Sequence, residues 1–561
     1  MVSLYHANTA FLFTLFNRTN TYLNTRRTTI MNIRNYNKYF HLHTISGIII
    51  TVLLYVIFFA GSFSFFKNEI ANWQSNKPQE KIAIQSINYN TLLDSLDNQI
   101  GLQGRNIYFR MNDRSRVMSY NISTSQDTLL PKAKERDFGL YDTATEEKHG
   151  YEESYSLGEF LYRLHFLAQL NGLVNIHISP FGYFVAGLVS FIYIFALITG
   201  LLVHWQKIVS NFYVFRPWEK LKTVWTDLHT ALGVITFPFQ LIFAITGAYF
   251  LLNYRIVAAT IIALGYGGDA DKFSSDTTQD RGAQEIVYQH KAIDKEIDLN
   301  AYIIQTVEKW DDPYISNISI LNYGDESMTV AISGRAHNEK QLNSRGEIKY
   351  HIHSGKVEEI NNPNENPGYS YIFSNLVYLL HFGSFGGLAT RIVYFLVGIA
   401  GCVVIISGVL IWLVARDKKN VPEHKRKFNF WLANIYMAIC LSMYPVTALA
   451  FIAAKLNPTG GQNFIYSFYF WTWLAITILL SIRKNIYKTN RDCLLVGSII
   501  GLTIPIFNGV MTGNWIWVSW AKGYSDILLI DLFWIIVPII TLYSWKLVKD
   551  KQEKKLNTAV E

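Results

Sequence analysis

HTISGIIITVLLYVIFFAG at 43–61 and HTALGVITFPFQLIFAITG at 229–247 are two versions of one pattern. Each opens on a histidine and a threonine, carries a glycine four residues after the histidine, and closes on another glycine eighteen residues after it. The run between is free of charge, and with its flanks it reaches the roughly 20 residues that a helix needs to cross a bilayer core. Working outward, similar runs recur, and eight spans are expected: 41–66, 179–206, 228–252, 389–415 and four more within 430–546. Of the 561 residues only 16% are charged, against roughly 25% in soluble domains. The sequence predicts a polytopic α-helical membrane protein.

The net charge of +8 is placed for topology and not for nucleic acid. Arg34 and Lys38, with Arg26 and Arg27, precede the first span; Lys207, Arg216, Lys220 and Lys222 follow the second. Arg416, Lys418, Lys419, Lys425, Arg426 and Lys427 follow the fourth, Arg483, Lys484, Lys488 and Arg491 the sixth, and Lys546, Lys549 and Lys551 begin the tail. The alternate connections 455–463 and 514–523 carry one lysine each. By the positive-inside rule, the leader (1–40), the loops 207–227 and 416–429 and the tail (547–561) are cytoplasmic, so both termini are expected inside. Met31 opens a short basic leader and is the expected start.

Two long polar insertions, 67–178 and 253–388, then lie on the outer side and are expected to fold as small α+β modules. In the second, DLNAYIIQTVEKW has helical spacing, while ISNISILNY, SMTVAIS and GEIKYHIH alternate as strands do. In the first, NYNTLLDSLDNQI and NIYFRMN repeat the helix–strand order more faintly. The whole unit of span, insertion and span is therefore duplicated. Both even spans end on a small-residue pair and a ring, ITGLLVHW (Thr199, Gly200) and ISGVLIW (Ser407, Gly408). Before each stands a further histidine in matching company, LYRLHFLAQL (His165) and VYLLHFGSFG (His381). The last four spans carry no histidine and form an appended unit, with Asp531 in span eight and Asn508 in span seven.

The three cysteines, Cys402, Cys440 and Cys493, form no CxxC or CxxCH pattern, which excludes thiolate zinc sites and covalent haem. GxSxG, HExxH and Walker motifs are absent, and GYGGD at 265–269 lacks a preceding strand. With no flavin or nicotinamide signature, electrons can enter only from another molecule. Histidine is the usual axial ligand of b-type haem. A bis-histidine haem needs two imidazoles at one membrane depth, and the repeat offers that twice: His43 and His229 at the inner face, His165 and His381 at the outer. Arg163 and Arg391 are candidates to pair with haem propionates. His204 rivals the inner ligands. A lone histidine at a helix end is ordinarily an interfacial residue, and duplication copies a structural histidine as readily as a ligand. His351 and His353 share one side of an expected strand, where a solvated face is the simpler reading.

The set FHLHTISG, YRLHFLAQL, ALITGLLVHW, WTDLHTALG, AITGAYFLL, YLLHFGSFGG and ISGVLIW, over about residues 35–415, resembles the PepSY-associated transmembrane family. The resemblance implies a four-helix haem-binding bundle with two periplasmic PepSY-like modules. It further implies an iron-regulated di-haem b oxidoreductase that reduces a ferric siderophore in the periplasm, fed by a quinol or a cytoplasmic reductase. His43, His165, His229 and His381 match the family's histidines. The sequence departs from the family at FFAG (58–61), where Thr–Gly is more usual, at His204, where an aromatic is usual, and in its four-span extension. Two other readings stay open: a haem-free scaffold whose modules bind or inhibit a periplasmic protein, and a siderophore or haem permease.

Overall fold

The computed structural model describes residues 33–79, 84–111, 116–172, 180–252, 258–270, 272, 286–295, 297–335, 345–363 and 369–557. Arg26, Arg27, Met31, His6, His177 and His337 lie outside them. In the first repeat, α1 (Ile33–Ser64) leads into the short α2 (Lys67–Ser75), α3 (Tyr89–Ile100), β1 (Ile107–Arg110), β2 (Val117–Ile122), β3 (Asp137–Asp142), β4 (Glu147–Gly150), α4 (Leu157–His165) and α5 (Phe181–His204). The second runs α6 (Leu221–Leu252), α7 (Leu299–Lys309), β5 (Tyr314–Leu321), β6 (Thr329–Arg335), β7 (Arg345–His351), β8 (Val357–Asn361), α8 (Tyr369–Phe382) and α9 (Gly387–Arg416). The C-terminal unit is α10 (Glu423–Leu456), α11 (Gly461–Ile482), α12 (Ile486–Thr512) and α13 (Ser525–Asn557).

Among the described residues eight helices, α1, α5, α6 and α9 to α13, are long and apolar enough to cross a membrane. The protein is a multi-pass helical membrane protein. Helices α1, α5, α6 and α9 close a ring, each packing on the next and α9 returning to α1. Small residues permit this closeness: a Cβ on Gly187 would lie 2.7 Å from Leu252, and one on Gly401 2.8 Å from the Phe58 ring. The C-terminal unit docks through α10, α11 and α13. Phe63 of α1 meets Phe395 of α9 at 5.8 Å and Phe533 of α13 at 5.6 Å, centre to centre. The odd spans start earlier than their apolar runs: α1 begins ten residues before His43 and α6 eight before His229. Charged residues outside the apolar run extend a helix at no cost, so these histidines sit two to three turns inside their helices.

The two insertions do not make separate sheets. One antiparallel sheet runs in the order β4-β3-β2-β1-β5-β6-β7-β8, joined where β1 pairs with β5 through Ile107↔Ile320 and Phe109↔Ile318. The order reads the same from either edge once the repeats are exchanged. The helices beneath repeat this reciprocity. Asn90 Oδ1 accepts from Leu299 N at 2.9 Å, and Asn300 Oδ1 accepts from Tyr89 N at 3.0 Å, so each helix N-terminus is capped by the other. Their own caps, Asn88 and Asp298, accept from Thr91 N and Ala301 N. The shared core holds Leu92, Leu96, Ile107, Phe109, Ile122, Leu299, Ile303, Ile318, Val330 and Ile348. The strands expected over ISNISILNY, SMTVAIS and GEIKYHIH are β5, β6 and β7. Strand β7 ends at His351, so His353 lies in the turn that follows, and His351 faces Glu358 at 3.5 Å.

Asp142 fixes the first edge of the sheet to the membrane side of the chain. Its fully buried carboxylate accepts two bonds of 2.8 Å from Arg116 and one of 2.9 Å from Lys77, just past α2. Burial pushes this carboxyl up, but the bonds from Arg116 and Lys77 outweigh it and hold it well below the usual carboxylate range. Its stabilisation is therefore complete above that range and declines as pH falls below it toward the lowered native value. Asp142→Asn leaves Arg116 buried with one partner fewer, at about 3 kcal/mol. Amide exchange in β2 and β3 at neutral pH should rise about a hundredfold, and the gap from native should narrow below pH 4, roughly where carboxylates protonate.

Candidate functional site: two histidine pairs across the bundle

Histidines from equivalent positions of the two repeats face each other. The His43 and His229 rings lie 5.9 Å apart between centres, and the His165 and His381 rings 6.0 Å. His43 and His229 belong to α1 and α6 themselves. His165 ends α4 and His381 lies one residue from the end of α8. These short helices come from the sheet side and set their histidines against the last turns of α1 and α6. Between Ile57 or Gly61 and His43 lie fourteen to eighteen residues of helix, so the pairs are separated along the bundle by about 20–27 Å.

Each ring is oriented through Nδ1. His43 Nδ1 bonds Ala196 O, His229 Nδ1 bonds Val404 O, and His165 Nδ1 bonds Ile57 O, each at 2.8 Å. A carbonyl oxygen only accepts, so Nδ1 carries the proton in all three. His381 Nδ1 lies 2.7 Å from Thr246 Oγ1, whose own proton goes to Ile242 O at 2.6 Å, so here too Nδ1 donates. In the neutral ring Nε2 then bears the lone pair. Four imidazoles are thus held in the tautomer whose Nε2 can bind a metal, by the kind of second contact that metal-ligating histidines use.

The sequence pattern now has a physical content. Ala196 and Val404 each stand four residues before the glycine of a small-residue pair. The pair's hydroxyl, Thr199 or Ser407, bonds back to the same carbonyl at 3.2 and 3.0 Å. The glycine is the seat of the ring: a Cβ on Gly200 would lie 3.0 Å from His43 Cε1, and one on Gly408 3.1 Å from His229 Cε1. Gly61 seats His165 in the same way, since a Cβ there would overlap its ring. The repeats diverge at one place. Where α6 has Thr246–Gly247, α1 has Ala60–Gly61, and without the hydroxyl His165 turns to the backbone of Ile57. At all three places the missing Cβ makes room for a histidine ring.

Arg163 and Arg391 are each held by a carboxylate of the chain. Arg163 Nε donates to Glu159 at 2.8 Å, and its guanidinium lies over the Tyr151 ring. Burial pushes the Glu159 carboxyl up, yet Lys67, Arg163 and Tyr151 together bring it below its ordinary value. Arg391 pairs with Glu69 and donates to Phe65 O at 3.0 Å. Both arginines brace the short helices. His204 closes α5 outside the His43–His229 ring contact, and His41 is exposed.

Two imidazole nitrogens about 2 Å from a shared metal, each about 1 Å from its ring centre, set ring centres about 6 Å apart. Both pairs meet that spacing. Among the described residues no group of three or more His, Cys, Asp or Glu gathers as a metal site. Two protein ligands per site suit a metal whose other positions are filled by a macrocycle. Phe243 and Phe250 contact His381 at 6.2 and 5.2 Å and give the sheet-side pair an apolar wall.

The family model described as PepSY-associated TM region matches residues 40–415. Among curated proteins the chain matches none. In metal-free protein, Thr246→Val removes the acceptor of His381, and Gly61→Ala the seat of His165. Modification of that one histidine by diethyl pyrocarbonate should quicken about fivefold, the equivalent of a hydrogen bond of about 1 kcal/mol. Gly47→Ala, whose Cβ meets nothing within 4 Å, should leave all four histidines unchanged.

Proposed function

We propose that this chain, which belongs to the PepSY-associated TM family, is a di-haem b oxidoreductase that carries electrons across the inner membrane to a ferric siderophore in the periplasm. The observation that carries this reading is the pairing of four histidines, two by two, each with Nδ1 bonded away and Nε2 left to ligate. When bound, haem supplies one-electron chemistry at two depths of the bundle.

The chain's own residues do the rest. His43 with His229, and His165 with His381, would hold the two haem irons. Ala196, Val404, Ile57 and Thr246 keep those rings from turning. Phe58, Tyr193 and Phe243 pack together within the ring of spans, with Phe58 at 5.6 Å from Tyr193 and 6.5 Å from Phe243. The buried Tyr193 hydroxyl is satisfied by Gln240. A quinol or a cytoplasmic reductase is the donor in this reading, entering near His43 and His229. The acceptor meets the protein near His165 and His381. Hard oxygen ligands favour Fe(III) over Fe(II), so one-electron reduction loosens the siderophore's hold on its iron.

Purified from cells supplied with haem, the protein should show the reduced-minus-oxidised bands of low-spin b haem and bind about two haems per chain. His165→Ala or His381→Ala should remove about half of the signal, His43→Ala or His229→Ala the other half, and His204→Ala none. A colourless native protein would refute the proposal in favour of a haem-free scaffold. Substrate accumulation that survives all four substitutions would favour a permease.

A further inference from the structure

The C-terminal unit buries charges that its own packing does not need. Asp531 of α13 and Lys455 of α10 are 0% and 3% exposed. Paired apolar residues would often fill such buried places at lower cost, so what these charges contact is informative. Here they converge on one nine-residue helix of the first repeat, α2. Asp531 accepts from Trp73 Nε1 and from Asn508 Nδ2, both at 2.8 Å. Lys455 donates to Trp73 O and lies 4.5 Å over its fully buried ring. Asp526 accepts from Asn72 Nδ2 at 2.8 Å and from Gln79 N at 2.9 Å.

The remaining sides of α2 are fastened to the histidine-bearing part. Glu69 pairs with Arg391 of α9, and Lys67 pairs with Glu159 of α4. Gln74 Oε1 accepts from Leu157 N, the first residue of α4, at 2.8 Å. Gly158 lies so close that a Cβ there would overlap Lys67 O, and the Phe160 ring packs at a tilt on Tyr469 of α11 at 4.6 Å. Helix α4 is two and a half turns long and ends in His165. A displacement of α2 is therefore handed on to that ring, while His43 and His229 stand at the far end of the bundle.

We propose that the C-terminal four-helix unit sets the position of the sheet-side histidine pair through α2, with Asp531, Asp526 and Lys455 as positioning residues. This rests on the di-haem reading for its redox consequence but not for its mechanics. Trp73→Phe removes one N–H donor and keeps a ring, Asp531→Leu removes the acceptor, and Asp531→Asn retains one. In full-length protein, Trp73→Phe and Asp531→Leu should raise amide exchange in residues 157–165 about tenfold, the loss of one buried hydrogen bond. Exchange in 229–247 should stay at the native rate, and Asn at 531 should restore most of the protection in 157–165. In a redox titration the wave lost in His165→Ala should shift, and the wave lost in His43→Ala should not. Unchanged exchange in 157–165, or two waves that move together, would overturn the proposal. If Asp531→Leu fails to accumulate, Trp73→Phe carries both measurements. A native protein without haem would refute the di-haem reading and leave the exchange result to decide this one.

Discussion

A duplicated unit that packs against its own copy must be complementary to itself, and that constraint organises this molecule from sheet to membrane. When two copies meet across an approximate twofold relation, each residue near the axis faces its own equivalent. Asn90 and Asn300 exchange caps, β1 and β5 share their ladder, His43 meets His229 and His165 meets His381. Neither copy contains a complete site or a complete sheet. The appended C-terminal helices break the symmetry, and the contacts of α2 and α4 with them fall on the first repeat.

Symmetry alone would place rings near each other without choosing which nitrogen faces inward. That choice belongs to acceptors on the spans. Three are backbone carbonyls that already serve the helix ladder and use their second lone pair, and one is a threonine hydroxyl. The mixed solution at the sheet side makes its two histidines inequivalent: His165 leans on glycine and backbone, His381 on Thr246 and two phenylalanines. The far pair is nearly identical in its two halves. Whatever the two pairs hold, their surroundings differ.

The helical class, the eight spans and the histidine pairing were legible because each rests on short-range pattern or on repetition. Uncharged runs reveal spans, and equivalence between copies reveals who faces whom. The role of Gly200 and Gly408 was visible as a motif but not as a seat, since a sequence does not say which ring arrives. Strands β2 to β4 were missed because they are short and polar on one face. The joining of β1 to β5 was beyond sequence pattern, being a pairing of edges two spans apart. Arg163 and Arg391 stood near the histidines in sequence, yet their nearest carboxylates, Glu159 and Glu69, come from one helical turn away and from a distant helix. Asp531 stood in its span as an isolated carboxylate, and only its meeting with Trp73 gives it meaning.

The seam between β1 and β5 has a consequence for biosynthesis. Ile107 pairs with Ile320, 213 residues later in the chain. At roughly 5–20 residues per second, translation separates the two by about 10–40 s. Two membrane spans must be threaded in that interval while β1 has no neighbour on one side. An open strand edge is a template for unwanted pairing. During that time the nascent protein is a half-sheet anchored to the bilayer, and its survival depends on how quickly the second insertion is delivered.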